Sequence, residues 1–290
     1  MNTLITRLSE RRVVTVLIAG TYYAIGVLCH RRVSDLFDAL RNTLSFKRYD
    51  TLMFDSGLFL MAVLFASCLV KIMHGREART LKLLYLLFTG CLLAAAHHAL
   101  IVFNIENIHF PQYAVLAVLV FALVGRFGET VFWVTLLGAL DESYQYFVLY
   151  GNNNTVYLDF NDIILNLVGA GLGLVLVYAL SDPLPAPVAR GTGPPKRFFS
   201  SPAASAVVVL LLGYLLIAAS GSLPFSREAD ASVGQIALSR RPLPRSFWLE
   251  PKIGKKFHIL HPPGAMLIAS FLISLYTTMD CRNPGSRNTP

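Results

Sequence analysis

Charged side chains are scarce in this chain of 290 residues. Only 14% of the residues are charged, against about 25% in ordinary soluble domains. In contrast, 54% are hydrophobic and the mean hydropathy is +0.56. A water-soluble protein of this length needs a much more polar surface, so the composition excludes a soluble globular domain and predicts an integral membrane protein.

Cysteine is also scarce, with four residues in the whole chain. They lie in or at the ends of apolar runs without paired short spacing, so neither a disulfide framework nor a zinc site is predicted. The net charge is +8, but basic loops beside apolar spans are what membrane orientation produces. We therefore expect no cofactor, no metal and no nucleic-acid partner.

The sequence consists largely of apolar runs, most of which are long enough to cross about 30 Å of hydrocarbon. They predict an all-α fold, a polytopic transmembrane helical bundle of about eight spans, or seven if one of the two short runs does not cross. The runs cover residues 13–29, 52–73, 82–103, 112–125, 130–150, 162–180, 203–220 and 264–279. After the first run, apolar residues at helical spacing predict one interfacial amphipathic helix, and these are Val33, Leu36, Phe37, Leu40 and Leu44.

Proline divides the chain late in its length. Six prolines from Pro183 to Pro202 are incompatible with a helix and predict an extended linker. The predicted organisation is an N-terminal part with the amphipathic connector (1–80), a four-span core (81–182), the linker (183–202) and a C-terminal pair of spans with a long basic loop (203–290).

The short loops indicate an orientation. The segment from Lys71 to Lys82 carries four positive residues, whereas segments 104–111 and 151–161 carry none. Positive residues favour the cytoplasmic side. We therefore expect a protein of the inner (plasma) membrane with a cytoplasmic amino terminus.

Carboxylates inside apolar runs are the most informative residues, because each costs about 2.5–3.5 kcal/mol at the centre of a span. Asp141 and Glu142 are adjacent in the fifth run, and Gln145 follows at helical spacing on the same face. The sharper interpretation is a functional carboxylate pair, in which like charges keep one acid neutral beside an ionised base. The alternative is a polar bridge between helices, with His109 or Tyr113 as partner.

The next run carries a stripe of polar and small residues at spacings of 4, 3 and 4. Asp162 and Asn166 begin this stripe, and Gly169 and Gly173, which continue it, allow another backbone to approach closely. Asp159 stands one turn earlier, where helix capping competes with a functional role.

Antiparallel threading brings these polar residues to one end of the bundle, which the orientation argument makes the outer end. We expect six carboxylates and three histidines around one outward-facing pocket, namely Asp55, Glu106, Asp141, Glu142, Asp159, Asp162, His97, His98 and His109. The histidines lack a paired metal-binding spacing, so a hydrogen-bonded network is expected in place of a metal site.

Three elements in this order resemble the VanZ-like membrane proteins. They are a His109-Phe110-x2-Tyr113 element, an Asp141-Glu142-x2-Gln145 element, and an element that runs from Asp159 through Asn161, Asp162 and Asn166 to Gly169. The resemblance covers about 100 residues, spans three to six. Two positions depart from the family pattern: Asn161 replaces an aspartate, and residues 154–156 lack an arginine that members often carry.

The resemblance implies a membrane protein of the cell envelope, since the founding member is associated with low-level resistance to a lipoglycopeptide antibiotic. It implies membrane lipids, and a lipid-linked cell-wall precursor or a glycopeptide, as partners. The ligand-binding residues would be His109, Tyr113, Asp141, Glu142, Gln145, Asp159, Asp162 and Asn166.

Two other functions remain open from the residues. One is a membrane enzyme that acts on a lipid head group, with Asp141 or Glu142 as general base and His109 as acid or electrostatic stabiliser. No nucleophile motif accompanies them. The other is a proton-coupled transporter in which the same carboxylates relay protons.

Overall fold

The computed structural model describes residues 1–75, 78–153, 156–181, 208, 249 and 256–281. Within these residues the regular elements are helices, and an isolated β-bridge joins Leu249 and Phe257. The helices are α1 (Asn2–Glu10), α2 (Arg12–Leu28), α3 (His30–Leu44), α4 (Phe46–His74), α5 (Arg79–Ala99), a 3-10 helix (Asn104–Ile108), α6 (His109–Val124), α7 (Phe127–Tyr144), a π-helical turn (Gln145–Leu149), α8 (Phe160–Leu180) and α9 (Pro262–Cys281).

Five helical segments are long and apolar enough to cross a membrane, and they are Phe46–His74, Arg79–Ala99, Asn104–Val124, Phe160–Leu180 and Pro262–Asp280. Helices α1 and α2 meet at a bend of 103°, and only the two together are long and apolar enough to cross a membrane. The predicted amphipathic helix is present as α3. The predicted linker 183–202 lies outside the described residues, as does the predicted span 203–220 apart from Val208.

Helix α8 lies at the centre of the bundle, because every residue from Ile163 to Ala179 is buried. Its close approach to α6 depends on the two predicted glycines. A Cβ at Gly169 would lie 2.8 Å from the carbonyl oxygens of His109 and Phe110, and a Cβ at Gly173 would overlap the carbonyl of Ala114. The stripe of small residues therefore sets the distance between the two helices.

The carboxyl-terminal helix α9 packs into the same core and does not stand apart from it. Gly128 of α7 accommodates Thr277, and Gly171 of α8 accommodates Tyr276, since a Cβ at either glycine would overlap these side chains. At the end of α9, Asp280 accepts hydrogen bonds from the backbone N–H groups of Phe127 and Gly128, both at 2.8 Å. Asp280 thereby satisfies the first free N–H groups of α7.

Asn161 holds the opposite end of α9. Its amide nitrogen donates to the carbonyl oxygens of Leu100 (3.0 Å) and His258 (2.7 Å), and its amide oxygen accepts from the N–H of Leu260 at 2.8 Å. The segment before α9 is thus attached to the end of α5 and the start of α8. An aspartate could not donate either bond, so the attachment requires an amide at position 161.

These contacts define the two ends of the bundle. Helices α4, α6, α8 and α9 begin, and α2, α5 and α7 end, at what we call the site end, because the polar residues converge there. At the opposite end Gly125 closes α6 with a positive φ of 73°, a conformation that glycine adopts without steric cost. This turn leads directly into α7.

Candidate functional site

A polar cavity of about 300 Å³ opens at the site end, between the end of α7, the π-helical turn and the start of α8. Four of the predicted residues line it: Glu142, Gln145, Asp159 and Asp162. The remaining lining residues are Tyr146, Tyr150, Val156 and Tyr157. The other four predicted residues, His109, Tyr113, Asp141 and Asn166, are buried behind this lining layer.

The α7 carboxylates belong to one hydrogen-bonded group. The Tyr113 hydroxyl donates to Asp141 Oδ2 at 2.9 Å. Gln145 Nε2 lies 3.2 Å from Asp141 Oδ1 and 3.1 Å from Glu142 Oε1 and donates to both. Asp141 and Glu142 are each only 3% exposed. The side-chain amide of Gln145 therefore holds both acidic side chains in place. Intervals of 3 and 4 residues along one helix bring these side chains close enough to Gln145 for both bonds.

The π-helical turn supplies the aromatic part of the cavity. The N–H of Tyr150 donates to the carbonyl of Gln145 at 2.9 Å, five residues earlier. A wide turn of this kind shifts the side chains that follow relative to the helical path. Gln145, Tyr146 and Tyr150 consequently all line the cavity, and the ring of Tyr150 contacts His30 edge-on, with centroids 6.4 Å apart.

His109 connects α6 to the polar stripe of α8. Its Nδ1 lies 2.8 Å from Asn166 Oδ1, and its Nε2 lies 3.7 Å from Asp162 Oδ2. Because the amide oxygen of Asn166 is an acceptor, the hydrogen of a neutral His109 ring lies on Nδ1. The other ring nitrogen, Nε2, then has no hydrogen to donate to Asp162. The longer distance also exceeds hydrogen-bond range. Asp162 therefore keeps its acceptor capacity for a group that enters the cavity.

Asp159 caps α8 and also lines the cavity. Its Oδ1 accepts from the N–H groups of Asn161 (2.9 Å) and Asp162 (3.3 Å), and the Tyr157 hydroxyl bonds to the same carboxylate. Burial, and next the negative charge of Asp162, raise the pKa of Asp159 to about 7. The two roles weighed from the sequence, a cap and a site residue, thus coexist in one side chain.

The electrostatic character of the cavity is acidic. The carboxylate of Glu142 experiences the charges of Asp162, Asp141 and Asp159. Among the residues that the structure describes, no lysine or arginine lines the cavity. The site can therefore accept hydrogen bonds from ammonium or hydroxyl groups, and it repels anions.

Three residues expected in the pocket lie elsewhere, so that part of the prediction is wrong. Asp55 and His98 are exposed. His97 points to the other side of the 3-10 helix, where its Nδ1 lies 2.9 Å from Asn107 Oδ1 and its ring packs on Phe54. Threading predicts the end of the bundle at which a residue lies, but the rotation of each helix determines which side the residue faces.

Glu106 also lies outside the cavity lining. Its carboxylate accepts from the backbone N–H groups of Val102 (2.8 Å) and Phe103 (3.3 Å) and so caps the 3-10 helix. The carboxyl groups of Glu106 and Asp162 nevertheless interact electrostatically through space. Glu106 is therefore coupled electrostatically to the site without lining it.

The sequence did not reveal the tyrosines of the cavity. Tyr146, Tyr150 and Tyr157 resembled ordinary interfacial aromatic residues, and no spacing distinguished them. The three hydrogen bonds of Asn161, which together form a clamp, were equally unpredictable from the sequence. Their partners are backbone groups of distant segments. Comparison with known proteins gives no matching family model, no matching curated protein and no matching solved structure. The resemblance described above therefore depends on the three short elements alone.

Proposed function

We propose that this chain is a VanZ-like multi-pass protein of the cell envelope whose polar cavity faces outward and binds the polar part of an amphipathic ligand, of lipid-linked or glycopeptide type. Tolerance of an envelope-directed antibiotic is the expected phenotype. The observation that carries the proposal is the cavity itself, in which three carboxylates, one amide and three tyrosines converge at a helix end. Ionisable residues within membrane helices are functional-site hypotheses by default.

The chemistry of the lining limits the chemical groups that the cavity can bind. Glu142, Asp159 and Asp162 offer hydrogen-bond acceptors, and within the described part of the chain no basic residue lies beside them in the lining. A phosphate group entering the cavity would meet uncompensated carboxylates, whereas an ammonium group would be attracted. We therefore infer that the part of the ligand inside the cavity carries amines or hydroxyls, which favours a glycopeptide or an amino sugar over a pyrophosphate.

An enzyme acting on a lipid head group receives less support from this geometry. His109 and Asp141 are 8% and 3% exposed and do not line the cavity. A general acid or base must come within hydrogen-bond reach of the substrate, and of the three catalytic candidates only Glu142 is placed to do so. Glu142 thus lacks the contribution expected from His109 as acid or electrostatic stabiliser.

A proton-coupled transporter is disfavoured by the residues beyond Tyr113. In the described part of the chain, the side chains directly below it pack as an apolar cluster that includes Leu116, Ala117, Val120 and Val134. No polar path continues there toward the opposite end. A proton relay needs such a continuous chain of polar groups.

The eight-span topology with an inner amino terminus is part of the proposal. Helices α8 and α9 run in the same direction, since both begin at the site end and both end near Phe127. The expected eight-span topology agrees with this common direction, since it places one further crossing between them. The apolar run 203–220 offers one crossing, and α7 together with the bent pair α1–α2 completes eight.

The test uses the full chain in lipid nanodiscs and a fluorescent glycopeptide that carries one free amine. In the double variant Glu142→Gln, Asp162→Asn we expect binding to weaken about tenfold or more, which corresponds to about 1.4 kcal/mol. Acetylation of the amine should weaken binding to the unmodified protein similarly.

The matched control is Asp55→Asn, which neutralises an exposed carboxylate at the same end of the bundle. It should bind like the unmodified protein. Equal binding by the double variant, at equal amounts of folded protein, would refute the proposal, and so would tighter binding of the acetylated probe.

A further inference from the structure

A second, larger cavity lies on the other side of the 3-10 helix. It is a groove of about 620 Å³ between α4, α5 and the start of α6. We propose that this groove holds one acyl chain of a bilayer phospholipid. The proposal is independent of the polar cavity, because it depends only on the groove and on the membrane that surrounds it.

The walls of the groove are hydrocarbon. Along α4 it extends from Met53 to Phe65, about 18 Å at 1.5 Å per residue, or more than half of the roughly 30 Å hydrocarbon core. Leu93 of α5 and Phe110 of α6 form the opposite wall. Its volume falls within the range of about 300–1,000 Å³ that small-molecule sites occupy.

Within the described part of the chain, most of the surface of α4 is exposed and available to the bilayer. Of the 29 residues of α4, only Tyr49, Cys68 and Ile72 are buried among those the structure describes. Large apolar side chains such as Phe59 and Val70 face outward. A transmembrane helix with this exposure is surrounded by lipid tails, so an acyl chain is the apolar molecule present at the groove in highest amount.

Small residues keep the groove open. Gly57 and Ala62 of α4, and Gly90 and Ala94 of α5, all line it. A Cβ at Gly57 would meet only Asn107, at the ordinary contact distance of 3.8 Å. Packing between the helices therefore does not require a glycine there. The groove would be narrower with larger side chains at these positions, and well-packed interiors normally leave no such space.

The groove has one polar end, which matches the polarity of a lipid. Asn104, Asn107 and His97 lie at the site end of the groove, and Asp50 accepts two bonds from Asn104, at 3.1 Å from its N–H and 2.7 Å from its amide nitrogen. A phospholipid placed with its chain along α4 would therefore have its head group beside these polar residues at the membrane surface.

Photocrosslinking tests the proposal with the full chain in phosphatidylcholine vesicles that contain a small fraction of phospholipid with a diazirine in one acyl chain. Peptide mapping should show crosslinks concentrated at Met61 and Phe65, which line the groove, over Phe59 and Val70, which face outward without lining it. An even distribution over these four residues overturns the proposal.

Variants that fill the groove provide the second arm. Ala94→Trp should abolish the excess of crosslinks at Met61 and Phe65, whereas Ala95→Trp, one residue along α5, exposed and outside the lining, should leave it unchanged. Ala62→Trp fills the groove from the other wall and replaces Ala94→Trp if that variant does not fold. If neither folds, the distribution of crosslinks in the unmodified chain decides.

A third arm identifies competing occupants. Photo-methionine at position 61 should crosslink to lipid. Crosslinks from it to residues 203–220 of the same chain, or to a second copy of the protein, would overturn the proposal, because protein would then occupy the groove. Loss of the crosslink excess in Ala95→Trp as well as in Ala94→Trp would also overturn it.

Discussion

Replacing Asn161 by aspartate should destabilise the protein, even though the two side chains have nearly the same shape. Asn161 is 3% exposed and makes three hydrogen bonds, two of them as a donor. Aspartate can still accept from the N–H of Leu260, but it leaves the carbonyl oxygens of Leu100 and His258 without a donor. Each buried group without a partner costs about 1–3 kcal/mol, so we expect a loss of about 2–6 kcal/mol for the two carbonyl groups.

Two measurements check this prediction. Thermal unfolding in detergent should show a lower midpoint for Asn161→Asp. Hydrogen exchange should be faster at the amides of His258 and Leu260, which are bonded to Ala99 and Asn161. Asn152→Asp introduces the same charge at an exposed position of the same end and should change neither. If Asn161→Asp matches the unmodified protein in both measurements, the clamp does not stabilise the fold and our reasoning is wrong.

Two further predictions concern the helix packing and the pH dependence of the site. Gly173→Ala should lower stability by about 1–3 kcal/mol, because the added methyl group overlaps the carbonyl of Ala114. Gly20→Ala is the control and should not lower stability, since no neighbouring atom lies within 4 Å of the added carbon. Equal midpoints of thermal unfolding for the two variants would contradict the packing argument. Because the pKa of Asp159 is raised to about 7, its negative charge develops as the pH rises toward 7. Affinity for the amine probe should therefore increase with pH by up to about tenfold per unit below 7 and level off above it. Asp159→Asn should remove this component in the same titration, and an affinity that falls with rising pH would contradict the acidic-cavity proposal.

The helices of the bundle were largely predictable because hydrophobicity determines where a chain can cross a membrane. Each predicted run within the described residues coincides with a helix. The errors lie at the ends: α6 begins at His109, three residues before the predicted run, and α1 was not predicted because residues 2–10 are mostly polar. A polar first turn remains helical when its side chains find partners, and hydropathy does not detect such partners.

The site was predictable only in part, and the part that was predictable used helical spacing. The proximity of Asp141, Glu142 and Gln145, and the facing of Asn166 toward another helix, follow from intervals of 3 and 4. His97 shows the limit of this approach. The end of the bundle at which His97 lies was predicted correctly, but the prediction that it faces the polar cavity was wrong. The direction in which a helix face points depends on packing with helices far away in sequence.

The attachment of α9 at both of its ends has a consequence for biosynthesis. A nascent chain that has emerged as far as Leu180 already contains every side chain of the polar site. It still lacks Asp280, which caps α7, and Tyr276 and Thr277, which fill the spaces beside Gly171 and Gly128. The packing around Gly128 and Gly171 is therefore complete only after α9 has been translated and inserted. Chains that terminate before residue 262 should remain incompletely packed, and we expect membrane quality-control proteases to degrade them.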